Sequence, residues 1–214
     1  MNQELIDKYL QDAEPLFLEI GAFNGINWSP IVPLIDMGWH GIMVEPNPKT
    51  FELLRANRGE NPKLQLVNAA IGSQAGEGVL YEGGSLSTLK MEKLELYNSL
   101  SSNPGWHVHL DPAVSHPCQI LTLDQLLERE ELAGRPFRPS VVSIDAEGSE
   151  LDVLAGYSLT HRPRLFIIET HEQHPEQRLA ADFPQVNAWF LSHGYLHAGA
   201  DYTNTIYLDS HCSQ

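Results

Sequence analysis

The stretch Phe17-Leu18-Glu19-Ile20-Gly21-Ala22-Phe23-Asn24-Gly25 constrains this chain most. An apolar run carrying one acid meets a glycine, and a second glycine follows four residues later. That pattern predicts a buried strand turning sharply into a helix. Such a turn leaves backbone N–H groups available and lets a ligand approach the main chain, because glycine has no side chain in the way. Turns of this kind hold nucleotide-like cofactors at the carboxyl edge of a parallel sheet.

The rest of the chain repeats the rhythm. Strands are expected over 16–20, 41–45 and 64–70. Between them lie a helix opened by Ser29-Pro30 and one following Pro46-Asn47-Pro48. Strand, helix, strand with short connections means an α/β fold, with a parallel sheet covered by helices on both faces. A lead-in helix falls within 1–14. The segment 72–117 breaks the pattern and reads as a variable insertion or lid: a small hairpin or extension, a helix over 90–100, and a Pro-, Gly- and His-rich loop over 101–117 that contains His107 and His109. Regular structure resumes at Leu121-Thr122-Leu123-Asp124, with Thr122 or Asp124 as helix N-cap. Strands over 141–145 and 164–169 follow, with a helix over 148–154 between them. A helix over 183–193 and a closing hairpin around Gly199-Ala200-Asp201 complete a chain of single-domain length.

Net charge of −15, from 28 acidic against 13 basic residues, repels phosphate backbones and acidic membrane surfaces. A small-molecule partner is therefore expected, with neither nucleic acid nor membrane. No signal-like start or bilayer-length apolar run is present. Cys118 and Cys212 are widely separated, with no metal-site or disulfide spacing, so a reducing cytoplasmic setting is the expectation.

Four apolar strands carry acids at or near their carboxyl ends: Glu19, Glu45, Asp145 and Glu169. In a parallel sheet those ends converge on the edge where ligands bind. Isolated acids also serve as helix caps, yet four at one edge favour a site. Glu45 is placed to accept both hydroxyls of a ribose. Glu19 stands where a dinucleotide pyrophosphate would rest, so it would repel a diphosphate and suit an ammonium or sulfonium. Only Gly21 and Gly25 occur where a dinucleotide turn would have three glycines. Asn68, at the end of the third strand, carries an amide able to read an adenine edge or simply to close a turn.

These residues belong to a longer ordered series: Glu19-Ile20-Gly21-Ala22, Val44-Glu45-Pro46-Asn47-Pro48, Asn68-Ala69-Ala70-Ile71-Gly72, Leu121-Thr122-Leu123-Asp124, Ile144-Asp145-Ala146-Glu147-Gly148-Ser149-Glu150 with Val153-Leu154-Ala155-Gly156, and Ile168-Glu169-Thr170-His171. The series resembles the FkbM family of S-adenosylmethionine-dependent methyltransferases. The resemblance implies a Rossmann-like class I methyltransferase fold, a mostly parallel sheet whose last strand is antiparallel, and methyl transfer, usually to a hydroxyl oxygen. It implies cofactor roles for Glu19, Gly21, Gly25 and Glu45, and puts Asp145 and Glu147 at the reacting end. The cofactor set is then Glu19, Gly21, Ala22, Gly25, Glu45, Pro46, Asn68, Ala69 and Asp145. The segment 72–117 departs from the family pattern.

At the reacting end, His171 is the candidate general base, just past the fifth strand and expected near Asp145, whose carboxylate would orient the imidazole. Asp145, Glu147 and His171 form the expected catalytic set. Asp145, Glu147, Glu169 and His171 also resemble a divalent-cation donor set, but the sequence favours none and assigns no residue to a metal. The expected activity is S-adenosylmethionine-dependent O-methylation of a hydroxyl on a sugar, polyketide, peptide or other secondary metabolite. The alternatives are a nucleotide-dependent oxidoreductase and a non-catalytic ligand-binding protein on the same fold.

Overall fold

A computed structural model describes residues 3–100, 111, 113–129, 131, 132, 135–171, 181–201 and 203–212. Its helices are α1 (Gln3–Tyr9), α2 (Val32–Asp36), α3 (Pro48–Arg58), α4 (Met91–Leu100), α5 (Leu123–Arg129), α6 (Glu150–Ala155) and α7 (Phe183–Ser192). Its strands are β1 (Leu16–Ile20), β2 (His40–Val44), β3 (Leu64–Val67), β4 (Ala70–Ile71), β5 (Gly76–Tyr81), β6 (Ser115–Leu121), β7 (Glu131–Leu132), β8 (Arg135–Pro136), β9 (Val141–Ile144), β10 (Leu165–Glu169), β11 (Tyr195–Ala200) and β12 (Asn204–Asp209). His107, His109 and residues 101–110 of the expected loop lie outside the described residues.

The main sheet runs β11-β12-β10-β9-β1-β2-β3. The pairs β10–β9, β9–β1, β1–β2 and β2–β3 are parallel, while β12 is antiparallel to both neighbours. The chain leaves β1 toward β2 and β3, then returns to β9 on the other side of β1. The crevice between β1 and β9 is thus the point where strand order reverses, and ligands bind outside the carboxyl ends there.

Period-2 alternation divides the core into two layers. Leu18, Ile20, Ile42, Val44, Val142, Ile144, Phe166 and Ile168 face one layer, together with Val153, Leu154, Val186 and Phe190 from the helices. Phe17, Met43, Val141, Leu165 and Ile167 face the other, against Ile6, Leu10, Ile31 and Leu34. Each fully buried side chain of this size contributes about 1.5–3 kcal/mol. Removing Cβ is itself a packing device at Gly41, where a methyl would fall 2.3 Å from the Phe17 ring.

Three expectations are corrected and one ribbon is new. The run over 64–70 is not one strand: Asn68 donates its amide to Glu45 O at 2.7 Å, the chain bends, and β4 joins a second sheet of order β4-β6-β5. The end of β5 closes locally through an antiparallel Tyr81–Thr88 bridge, but its main partner is β6 across a long connection, so 115–117 belong to a strand and not to the loop. A small β7–β8 ribbon occurs that the sequence did not announce. Most important for the site, β1 does not run into a helix. Residues 21–31 form an irregular loop with positive φ at Gly21, Phe23, Gly25 and Trp28, and α2 begins only at Val32. Non-glycine residues hold that conformation at about 1–3 kcal/mol each, so the loop is fixed by its partners.

Candidate functional site

The VEPNP segment builds the first wall. Asn47 N-caps α3, its side-chain oxygen accepting from Lys49 N at 2.9 Å and Thr50 N at 3.4 Å, and Pro48 starts the helix with its missing donor. Glu45 Oε1 accepts from Asn47 N and Oε2 from Phe23 N, both at 2.9 Å, tying the carboxyl ends of β2 and β1 together. Glu45 is 5% exposed; burial pushes its carboxyl up to about 8, against the pull of those two amides.

The glycine turn is closed on itself. Gly21 and Ala22 both donate to Val44 O at 2.9 Å, and Gly25 donates to Ala22 O at 2.8 Å. With Phe23 N on Glu45, these four N–H groups are committed to the protein. The expectation of free turn amides is overturned, and with no helix N-terminus beside Glu19, the site lacks both ingredients of a phosphate cradle. A Cβ on Gly21 would lie 1.7 Å from Asp145 O, so the β1 turn and the end of β9 touch through their backbones. Gly25 serves packing instead: a Cβ there would meet Leu54 Cδ1 at 2.6 Å.

Glu19 is 2% exposed, and its Oε2 has no hydrogen-bond partner among the described residues. Burial pushes it up to about 8, with the Ser29 hydroxyl holding it down and Asp145 and Glu45 adding repulsion. Glu19, Gly21, Ala22, Glu45, Pro46, Ala69 and Asp145 line one cleft of about 410 Å³, a size suited to a small cofactor or ligand. Asn68 and Gly25 are not among its lining residues. Trp28, 78% exposed and packed on Phe23 at 5.6 Å, forms part of the rim.

The second wall comes from β9, β10 and the loop before α6. Glu147 takes a positive φ of 48°, and its carboxylate accepts from the Tyr97 hydroxyl of α4. Thr88 Oγ1 donates to Glu147 O at 2.8 Å, and Glu150 Oε1 accepts from Ala146 N and Gly148 N. These bonds over-determine a strained loop. On the other side, Thr170 N and His171 N both donate to Thr203 O at 2.8 Å, which holds His171 at a φ of 51°.

His171 Nε2 stands 3.2 Å from Glu169 Oε1. The expected orienting partner, Asp145, is nearby, but Glu169 makes the contact and Asp145 in turn interacts with Glu169. Burial lowers His171 from its ordinary range, Lys93 adds to the effect, and the neutral imidazole is favoured. Burial, then repulsion from Glu169, raises both Asp145 and Glu147 well above the carboxylate range. Glu169 and Glu150 are each pushed up to about 7, again by burial first. Tyr97 and Glu150 were not among the expected site residues; Tyr97 lies in the departing segment 72–117, and Glu150 entered only as part of the family series.

A family model described as the Methyltransferase FkbM domain matches residues 19–196. Among solved structures, a methyltransferase FkbM from Methylobacillus flagellatus KT is 15% identical with a TM-score of 0.53, over 90% of this chain and 42% of that one. The chain thus spans less than half of that relative. A precorrin-6y C5,15-methyltransferase from Geobacter metallireducens GS-15 is 11% identical with a TM-score of 0.44, over 90% and 79% of the two chains. No curated protein matches. Among the described residues, no helix is long and apolar enough to cross a membrane.

Proposed function

This chain belongs to the FkbM methyltransferase family, and we propose that it methylates a hydroxyl oxygen of a small molecule such as a sugar, polyketide or peptide. Its fold is the class I methyltransferase fold and its cofactor is S-adenosylmethionine, which when bound supplies an electrophilic methyl group on a sulfonium. The oxidoreductase alternative falls with the family and with the closed glycine turn.

The observation that carries the cofactor half is Glu19: a buried carboxylate oxygen without a partner, beside a turn whose amides are already committed. Such a site repels phosphate and accepts a cationic amino-acid end. Glu45, fixed by two backbone amides, retains acceptor capacity for ribose hydroxyls. Ala22, Pro46, Ala69 and Asp145 complete the walls. Asn68 serves by fixing Glu45 O.

The hydroxyl-oxygen reading rests on His171. Glu169 accepting from Nε2 makes Nδ1 the basic nitrogen of that tautomer, and the imidazole takes the proton of the acceptor hydroxyl. Glu169 then stabilises the imidazolium. Asp145 and Glu147 shape the reacting end, Glu147 held through Tyr97. Positioning in the cleft supplies on the order of 7–11 kcal/mol.

Calorimetry with S-adenosylhomocysteine tests the first half. Binding in the micromolar range is expected, weakened about 100-fold in Glu45→Ala as two charge-assisted bonds are lost. Absence of binding overturns the reading. Mass spectrometry of hydroxyl and amine panels tests the second, since amine methylation alone would remove the role given to His171. Tight cofactor binding with no transfer to any acceptor would favour the non-catalytic alternative.

A further inference from the structure

At the carboxyl ends of β9 and β10 and the first turn of α6, Asp145, Glu169 and Glu150 each bring one carboxylate oxygen within 4.8 Å of the others. Oxygens on opposite sides of a hard cation, at about 2.3–2.6 Å from it, stand about 4.6–5.2 Å apart. The three oxygens are therefore close enough together to be shared by one ion. Glu150 is 3% exposed and Glu169 and Asp145 are partly buried, with Glu147 alongside. Clustered carboxylates taken from water demand a counter-charge. Lys93 approaches from α4 and eases Glu150 and Glu169, while Asp182 adds to the repulsion on both.

A second observation points to a missing ligand. Asp145 Oδ1 and Ser149 Oγ are buried, belong to residues lining the same cleft, and have no hydrogen-bond partner among the described residues. Ser149 precedes α6 yet makes no capping bond, and it is 2% exposed. Unsatisfied buried oxygens beside three convergent carboxylates are what an oxygen-preferring cation resolves.

We propose that Asp145, Glu150 and Glu169 bind a hard divalent cation of the Mg²⁺, Mn²⁺ or Ca²⁺ class at the end of the cleft that Asp145 and Glu169 line, with Glu150 behind them. Glu147, engaged by Tyr97, lies beside the ion and not in the ligand set. Positions left open on the cation suit two adjacent oxygens of an acceptor, a vicinal diol or its aromatic counterpart. That last assignment rests on the methyl-transfer reading; the ion site does not.

Mn²⁺ titration of the full chain, followed by loss of the free-ion electron paramagnetic resonance signal, tests the site without reference to activity. One Mn²⁺ is expected to bind with Kd below about 1 mM and to be displaced by Mg²⁺ or Ca²⁺. Asp145→Asn, Glu150→Gln and Glu169→Gln should each weaken it by about tenfold or more, whereas Asp12→Asn, on the surface, should not. Circular dichroism verifies that each variant is folded, and any one folded ligand variant suffices. Two outcomes overturn the proposal: no Mn²⁺ uptake by the native chain, or folded ligand variants that bind as well as it does. Uptake only after Lys93→Gln also overturns it, by showing that the lysine ammonium supplies the counter-charge. Calorimetry with S-adenosylhomocysteine in the absence of metal reads the cofactor site separately.

Discussion

At the ends of β1 and β2, each buried carboxylate is met by donors from the two adjoining turns: Glu45 by Phe23 N and Asn47 N, Glu19 by Ser29. At the ends of β9 and β10, four carboxylates face one another, and the groups that settle them come from α4, α6 and the β11–β12 turn. The first region is a rigid seat whose geometry is set by backbone contacts. The second is a cluster of mutually repelling groups, held by a strained loop and by Tyr97, Lys93 and Thr203. Binding calls for the former, since a fixed receptor loses little entropy on meeting its ligand. Proton transfer calls for the latter, where burial pushes Glu150 and Glu169 up to about 7 and keeps the His171 imidazole neutral.

The comparison breaks most completely at the backbone contact joining the two regions. Gly21→Ala sets a methyl against Asp145 O in a positive-φ residue, and a loss of more than about 4 kcal/mol is expected by urea denaturation. A variant of native stability would show the turn to be pliable. Next in size, His171→Gln should lower kcat by about 10²–10⁴-fold while leaving S-adenosylhomocysteine affinity within about threefold. An equal loss in both would move His171 from the reacting end to the seat.

A pH series sharpens the distinction further. Glu19 and Glu45 are pushed up to about 8 in the folded protein, so the folded state keeps protons that the unfolded chain has released. Their contribution is present at low pH and lost as pH rises toward 8. His171, lowered by burial, acts in the opposite sense only below about 6.5. Between about pH 6.5 and 8.5 the cofactor-free protein should therefore lose about 2 kcal/mol for each of these two groups, about 4 kcal/mol together, lowering Tm by roughly 8–16 °C. Glu19→Gln should flatten part of that slope, and a profile that rises with pH would contradict the assignment.

The smallest effect lies away from both regions. Thr122 and Gln125 cap α5 reciprocally, Thr122 Oγ1 accepting from Gln125 N at 3.1 Å and Gln125 Oε1 from Thr122 N at 3.2 Å. Thr122→Ala should cost about 1 kcal/mol in thermal or urea unfolding with activity at saturating substrate unchanged.

Much of the fold was legible because it rests on local pattern. Continuous apolar runs gave β1, β2, β9 and β10, the Pro46-Asn47-Pro48 turn announced α3, and Thr122, one of two candidates, proved to be the cap of α5. The segment 64–71 was misread because its split depends on Asn68 reaching Glu45 O, 23 residues away. Tyr97 and Lys93 were invisible as site residues, since nothing in an amphipathic helix announces which distant carboxylate its side chains will meet.

The sequence by itself determined that acids would gather at the carboxyl edge of a parallel sheet and that a glycine turn at Gly21 would stand there. Strand polarity and alternation dictate as much whatever the packing. Only the tertiary structure decided that Val44 O and Glu45 take up the turn's amides, that Glu169 and not Asp145 grips His171, and that Glu150 comes within 4.8 Å of Asp145 and Glu169. Those outcomes depend on register and on the approach of elements separated by tens of residues, where tenths of an ångström choose the partner.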